Sequence, residues 1–418
     1  MASPATTPLS LEQVLAKDGF LVKISLDSLV NNGFVNCAVK RPIEDVEPNI
    51  GQTRLQFNLP AVDETIHPVF RHKRFENVSL QDYTDYIAPV ARLATCMLSD
   101  IHIMPFFIAL LARPLKKITD DPDTQQFLNQ SVWEFGWDNN PSTPEEIKST
   151  WKTLAGLRKY ITWRFEDPPC GESFMDTCRR PGPLWGAVEE ETYTSTIRIR
   201  KVYLDILKRI TTSRSLPRTE NLDPEDARLR TMVHMAITMC HEVCHALNYA
   251  YIKQDKDAYK AKTNKDGSQT YLTLPIPAEP YYRDDHMNEL GWAYTQVTFD
   301  GILESMGNLG LPHSALFAYG AYTMKFETRR KEKTLERRYE RWAPKVKKGL
   351  RRAVHMSYFQ DMFTAEFWEK TVMKDGLVAL RPPDQRPGFA VWVGVQKLEN
   401  EVVPGRSYAS AAAGRKKP

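Results

Sequence analysis

The chain has 418 residues, 42% hydrophobic and 26% charged, the composition of a soluble globular protein large enough for a sizeable core. Its net charge of +4 is too small to imply a nucleic-acid or membrane partner. Six cysteines are few for this length and read as reduced thiols rather than a disulfide framework.

Met1 to Val22 lacks a basic start followed by a continuous apolar stretch, so no signal peptide is expected and the reading is a cytoplasmic, intracellular protein. Scattered prolines and β-branched stretches such as Phe20 to Ile24 predict a few strands and loops over 1–79, weakly ordered at the very start. From Leu80 to about Leu115 the pattern is largely helical, with apolar residues at Ile87, Val90, Leu93 and Met97. The most apolar run, Ile103 to Ala112, contains Pro105 and is too short to cross a bilayer, so it reads as a buried segment.

A polar connection covers 119–142. Thr143, Pro144, Glu145 and Glu146 then form a helix start, with a threonine cap, proline at the first position and acids in the first turn. That helix is expected to reach about Trp163. Residues 167–187 read as a long loop, in which Cys170 and Cys178 flank Gly171 without making a metal site on their own. Thr192 to Tyr203 alternates apolar and polar residues as a half-buried strand does. Around Ser195–Lys201 it is either an edge that an extended peptide could join or an internal strand.

Asp223, Pro224, Glu225 and Asp226 are a second strong helix start, and the amphipathic helix they open should run to about Lys253. Within it lies His241-Glu242-Val243-Cys244-His245. Positions four apart stack on one helix face, so His241 and His245 can offer nitrogens to a single ion. Glu242, one step round, can act as base on a zinc-bound water without displacing a ligand. With 9 histidines and 52 acids in the chain, chance supplies roughly 0.02 such matches. Two satisfied core histidines are the bland alternative. A di-iron reading with Glu242 as ligand needs a second Glu-x-x-His, and the only other one, Glu64 to His67, is followed by helix-averse Pro68. His234, two turns earlier, reads as packing or support for the ligands. Cys240 and Cys244 read as small core residues facing a neighbouring sheet.

A catalytic zinc site needs a third protein ligand. Asp285 can cap a helix whose apolar positions are Leu290, Ala293, Tyr294, Val297 and Ile302, which puts Glu289 near its first turn. Glu289 is the leading candidate, with His286, Glu279, Asp284 and Asp285 as rivals. Tyr281, Tyr282, Arg283 or His286 could donate to a developing oxyanion, and Tyr282 and His286 are carried forward as catalytic candidates.

Phe326 to Arg352 is densely basic but interrupted by Glu332, Glu336 and Glu340 at helical spacing. It reads as a solvated helix, which argues against a nucleic-acid partner. Residues 354–373 look like a further amphipathic helix or pair, and 402–418 like a disordered basic tail.

Through His241-Glu242-x-x-His245 and Asn288-Glu289 the chain resembles gluzincin-type HExxH metalloproteins. Glu289-Leu-Gly-Trp-Ala, Phe299-Asp-Gly301 and Met356-Ser-Tyr with Phe367-Trp368 also resemble a group of uncharacterised fungal HExxH proteins. The resemblance covers roughly 190–370. It implies an α+β, helix-rich, zincin-like domain over 80–310, carrying a small mixed sheet and the HExxH helix. Segments 1–79 and 311–401 would pack on that domain as elaborations, the latter helical. It also implies Zn²⁺ held by His241, His245 and Glu289 in a zinc-dependent hydrolase of the metallopeptidase kind, acting on a peptide or small acyl substrate. Familiar gluzincins orient the first histidine with an aspartate four residues after the ligand glutamate. Here that position is Ala293, so the orienting carboxylate must come from elsewhere, Asp300 being one option. An enzyme of small-molecule metabolism on the same scaffold, or a non-catalytic binding protein, are the alternatives.

Overall fold

The computed structural model describes residues 31–34, 37, 66–117, 133–136, 141–166, 175–180, 194–211, 223–251, 262–263, 269–270, 279–282, 290–299, 348–352, 354–382 and 390–394. Phe20 to Ile24, most of 326–352 and the 402–418 tail lie outside the described residues.

The first long helix, α1 (Leu80–Ser99), starts on Ser79, whose hydroxyl accepts the Asp82 amide at 3.0 Å. It widens to a π-type turn over Tyr83–Ile87, which ends two residues before Pro89. Helix α2 (Met104–Leu111) leaves it at 65° and buries Phe106, Phe107, Ile108, Ala109 and Leu110, as the apolar run predicts. Among the described residues no single helix is long and apolar enough to cross a membrane. Strand β1 (Lys116–Lys117) pairs antiparallel with β2 (Trp133–Phe135).

Helix α3 (Pro144–Gly156) opens with the expected cap as a full reciprocal box. The Thr143 amide donates to Glu146 Oε2 at 2.8 Å and the Glu146 amide to Thr143 Oγ1 at 3.2 Å. The helix does not reach Trp163. It ends at Gly156, a 3-10 turn covers Leu157–Lys159, and Ile161–Phe165 is strand β3. Ile161, Trp163 and Phe165 are buried while Thr162 and Arg164 are half-buried, an alternation that the helical reading overlooked.

Strands β4 (Met175–Arg180) and β5 (Thr194–Ile199) complete a three-stranded sheet in the order β3-β5-β4, with β3 parallel and β4 antiparallel to β5. The strand expected over Thr192–Tyr203 therefore stops at Ile199. Helix α4 (Lys201–Thr211) takes over and buries Tyr203, Ile206 and Leu207 at helical spacing. Because β5 has a neighbour on each side, it cannot accept a peptide by edge addition.

Helix α5 (Pro224–Tyr251) starts as expected on Asp223, whose Oδ1 accepts the amides of Glu225 at 3.0 Å and Asp226 at 3.1 Å. It is not amphipathic. Between Asp226 and Asn248 every position is buried except Arg228, Thr238, His241 and His245. A helix apolar nearly all round belongs in the middle of a core, and α1, α4, β4 and β5 pack around it.

Strands β6 (Lys262–Thr263) and β7 (Gln269–Thr270) form a two-residue ladder, and β8 (Tyr281–Tyr282) adds to β2 in parallel. Helix α6 (Leu290–Phe299) buries Leu290, Ala293, Tyr294 and Val297 against α5, the stripe the sequence predicts. Lys348–Arg352, expected to be the end of an exposed basic helix, is instead strand β9. Helix α7 (Met356–Asp361) docks on α5, followed by helical segments Phe367–Val372 and Leu377–Leu380, in keeping with the helical expectation for 354–373. Strand β10 (Ala390–Gly394) pairs antiparallel with β9. The main apolar cluster runs continuously from Val69 to Leu380, so the protein is helix-rich α+β with small sheets around one core.

Candidate metal centre on the central helix

Burial along α5 locates the site. Thr238, His241 and His245 lie three and four residues apart, on one helix face, and in the otherwise sheathed middle of the helix this is where side chains remain half-buried. The packing is thus less complete over the two histidines than over the rest of the helix's middle. Glu242, the residue between them, is buried.

The two imidazoles converge. His241 Nε2 and His245 Nε2 face each other at 3.2 Å, with the rings edge to face and their centroids 4.9 Å apart. A bridging N–H could span that gap. So could one ion, since two nitrogens bound to zinc at 2.0–2.1 Å with a tetrahedral angle sit about 3.3 Å apart. The donor set therefore fits zinc in chemistry and in spacing.

His245 is held from behind. Its Nδ1 lies 2.6 Å from Glu279 Oε1, while Glu279 Oε2 accepts the Leu290 amide at 2.7 Å. With the carboxylate accepting at Nδ1, the ring proton belongs there and Nε2 keeps its lone pair on the side facing His241. Glu279 is buried and lies directly before Pro280 and β8. Glu279, one of the rivals for third ligand, has its two carboxylate oxygens on His245 Nδ1 and the Leu290 amide, the position an orienting carboxylate would take behind the second histidine.

His241 is held by close approach. A Cβ built on Gly291 would lie 2.3 to 2.4 Å from Cγ, Cδ2 and Nδ1 of His241, so the face of the ring rests on the bare α-carbon. The first two residues of α6 thus touch both histidines, Gly291 directly and Leu290 through Glu279.

Behind Glu242 lies a buried polar pair. The Tyr203 hydroxyl hydrogen-bonds His234 Nδ1, and the two rings stack with planes 13° apart. Burial pushes the His234 pKa down to about 3, so the ring is neutral. Burial likewise raises the Tyr203 phenol, and the Glu242 charge acts in the same direction. Thr238 Oγ1 donates to the His234 carbonyl at 2.7 Å, one turn before Glu242. His234 is therefore packed on Tyr203. The alternation over Thr192–Tyr203 predicts a strand end at Tyr203 and so hides this pairing, which the helix Lys201–Thr211 makes possible.

Other expected residues are placed as follows. Cys240 and Cys244 are buried, but they face helices rather than a sheet: Cys240 Sγ lies 3.4 Å from the Ala94 carbonyl of α1, and burial lifts its thiol to about 12. Tyr282 is buried and packs its ring on Phe106 and Phe135, with centroids 5.9 and 5.3 Å away. Glu289, His286, Asp284, Asp285, Arg283 and Asp300 lie outside the described residues. Among the described residues no group of three metal-ligating side chains converges. No family model matches the chain, and no curated protein or solved structure matches it.

Proposed function

We propose that this protein is a zinc-dependent hydrolase of the metallopeptidase kind on a zincin-like scaffold, with His241, His245 and Glu289 as metal ligands and Glu242 as general base. The observation that carries this reading is the pair of Nε2 atoms 3.2 Å apart on the half-buried face of the helix, one of the two rings backed by a buried carboxylate. The partial exposure of both rings, in a helix otherwise buried along its middle, favours this reading over two satisfied core histidines. Glu289 is two residues before Gly291, on which His241 rests, and this nearness in sequence supports it as the third ligand.

A zinc ion held there supplies a Lewis acid that acidifies water and polarises an acyl oxygen. Glu242 takes the proton from the attacking water and passes it to the leaving group. An extended peptide substrate has one open strand beside α5: β4, which ends the sheet among the described residues.

Metal analysis of the purified protein, together with a peptide-library cleavage assay run with and without chelator, tests the reading. Stoichiometric zinc with chelator-sensitive cleavage supports it. Zinc without peptide turnover points to a small-molecule enzyme, and absence of bound zinc sinks the metal centre. Glu242→Gln is expected to keep zinc and lose about 10²- to 10⁴-fold in turnover. Unchanged hydrolysis removes Glu242 from the role.

A further inference from the structure

Glu279 bridges two elements that the chain brings together from a distance. It stands 34 residues after His245 and 11 before Leu290, and one buried carboxylate bonds both. Each oxygen has a single partner among these, at 2.6 and 2.7 Å, the short range of charge-assisted bonds. The residue after Leu290 is Gly291, on which His241 rests. The orientation of both imidazoles thus depends on where the first turn of α6 sits, and the seating of that turn depends on the carboxylate that orients His245.

We propose that Glu279 is a positioning residue that couples metal binding at His241 and His245 to the docking of α6. The coupling rests on the metal reading above. When α6 is seated, the Leu290 amide fixes one carboxylate oxygen and leaves the other aimed at His245 Nδ1. When the ion is bound, the His245 ring is fixed, and Glu279 in turn holds the Leu290 amide. Linkage makes the effect reciprocal: whatever factor α6 docking contributes to ion affinity, the ion contributes to α6 docking. A carboxylate is required because both partners donate N–H, and a carboxamide offers only one accepting oxygen.

The test compares the full-length wild type with Glu279→Gln, using two measurements. Zinc affinity comes from competition with a chromophoric chelator, and hydrogen exchange at the Leu290–Phe299 amides is followed with and without zinc. Expected are a 10- to 100-fold loss of zinc affinity in Glu279→Gln, faster exchange at Leu290, and zinc-induced protection of α6 in the wild type that the variant largely lacks. Glu279→Asp, which keeps the charge but shortens the reach, should fall between them. Faster exchange with wild-type zinc affinity would mean that Glu279 merely caps α6, and overturns the coupling alone. A wild type that binds no zinc overturns the coupling together with the metal reading, and so separates the two failures.

Discussion

The imidazole of His241 rests on the α-carbon of Gly291, leaving no room between the HExxH helix and the helix beside it for even a methyl group. The contact is with three contiguous ring atoms rather than a flexible chain end, so an added Cβ must displace the whole ring. Gly291→Ala is therefore expected to keep the fold, since alanine favours the helix by about 1 kcal/mol over glycine. It should nevertheless lower zinc affinity about tenfold or more by moving a ligand. Circular dichroism and a chelator competition check both halves. An alanine variant that binds zinc like the wild type would mean that the ring can shift without cost.

Features carried by neighbouring residues were legible in the sequence. The Thr143 box and the Asp223 cap need only local residue types and appear as expected, with the His-Glu-x-x-His motif mid-helix behind the second. Features decided by distant partners were not. Ile161 to Phe165 continues a helical pattern until the pairing of Trp163 with Ile197 makes it a strand. Helix α5 reads as amphipathic when its polar residues are counted, yet Asp226 and His234 are buried against partners far along the chain, the Cys37 amide and Tyr203. Glu279 could be recognised as acidic and near the site. Its task follows only from the meeting of His245 and Leu290. Gly291 carries no sequence signal of close approach at all.

The third ligand is decided by zinc content. On the proposed reading Glu289→Ala loses most bound zinc, because a neutral two-histidine site holds the ion weakly. His286→Ala keeps it. The reverse result would transfer the role to His286, and retention by both variants would place the third ligand elsewhere in the chain. His241→Ala and His245→Ala provide the baseline for complete loss.

Tyr203 and His234 form a buried hydrogen-bonded pair whose members should be coupled in stability. Tyr203→Phe removes the hydroxyl and leaves His234 Nδ1 without that partner, at a cost of about 1–3 kcal/mol. His234→Phe strands the phenol at a similar cost. The double variant replaces both by apolar rings and is expected to lose about 1 kcal/mol or more less than the sum of the two, read from urea midpoints in a double-mutant cycle. Additive losses would show that the contact contributes nothing to stability.

His67 gives the fold a dependence on acid of its own. Burial, reinforced by the charges of Arg71 and Arg158, pushes its pKa from 6.5 down to about 3. Between these values the unfolded chain binds a proton that the folded one refuses. Stability is therefore full above about pH 6.5, falls as the pH drops through that value, and levels off near pH 3. One such histidine removes about 2 kcal/mol between pH 7 and pH 5, and His234, shifted in the same direction by burial, contributes a like amount. His67→Gln deletes the first contribution while keeping a polar group at the start of the Pro68–Phe70 turn, where the ring accepts the Val69 amide at 3.4 Å. Denaturation in urea at pH 7 and pH 5 should show the variant losing about 2 kcal/mol less than the wild type over that interval. If the two lose the same amount, His67 is not held neutral in the folded protein, and the acid sensitivity must come from other groups.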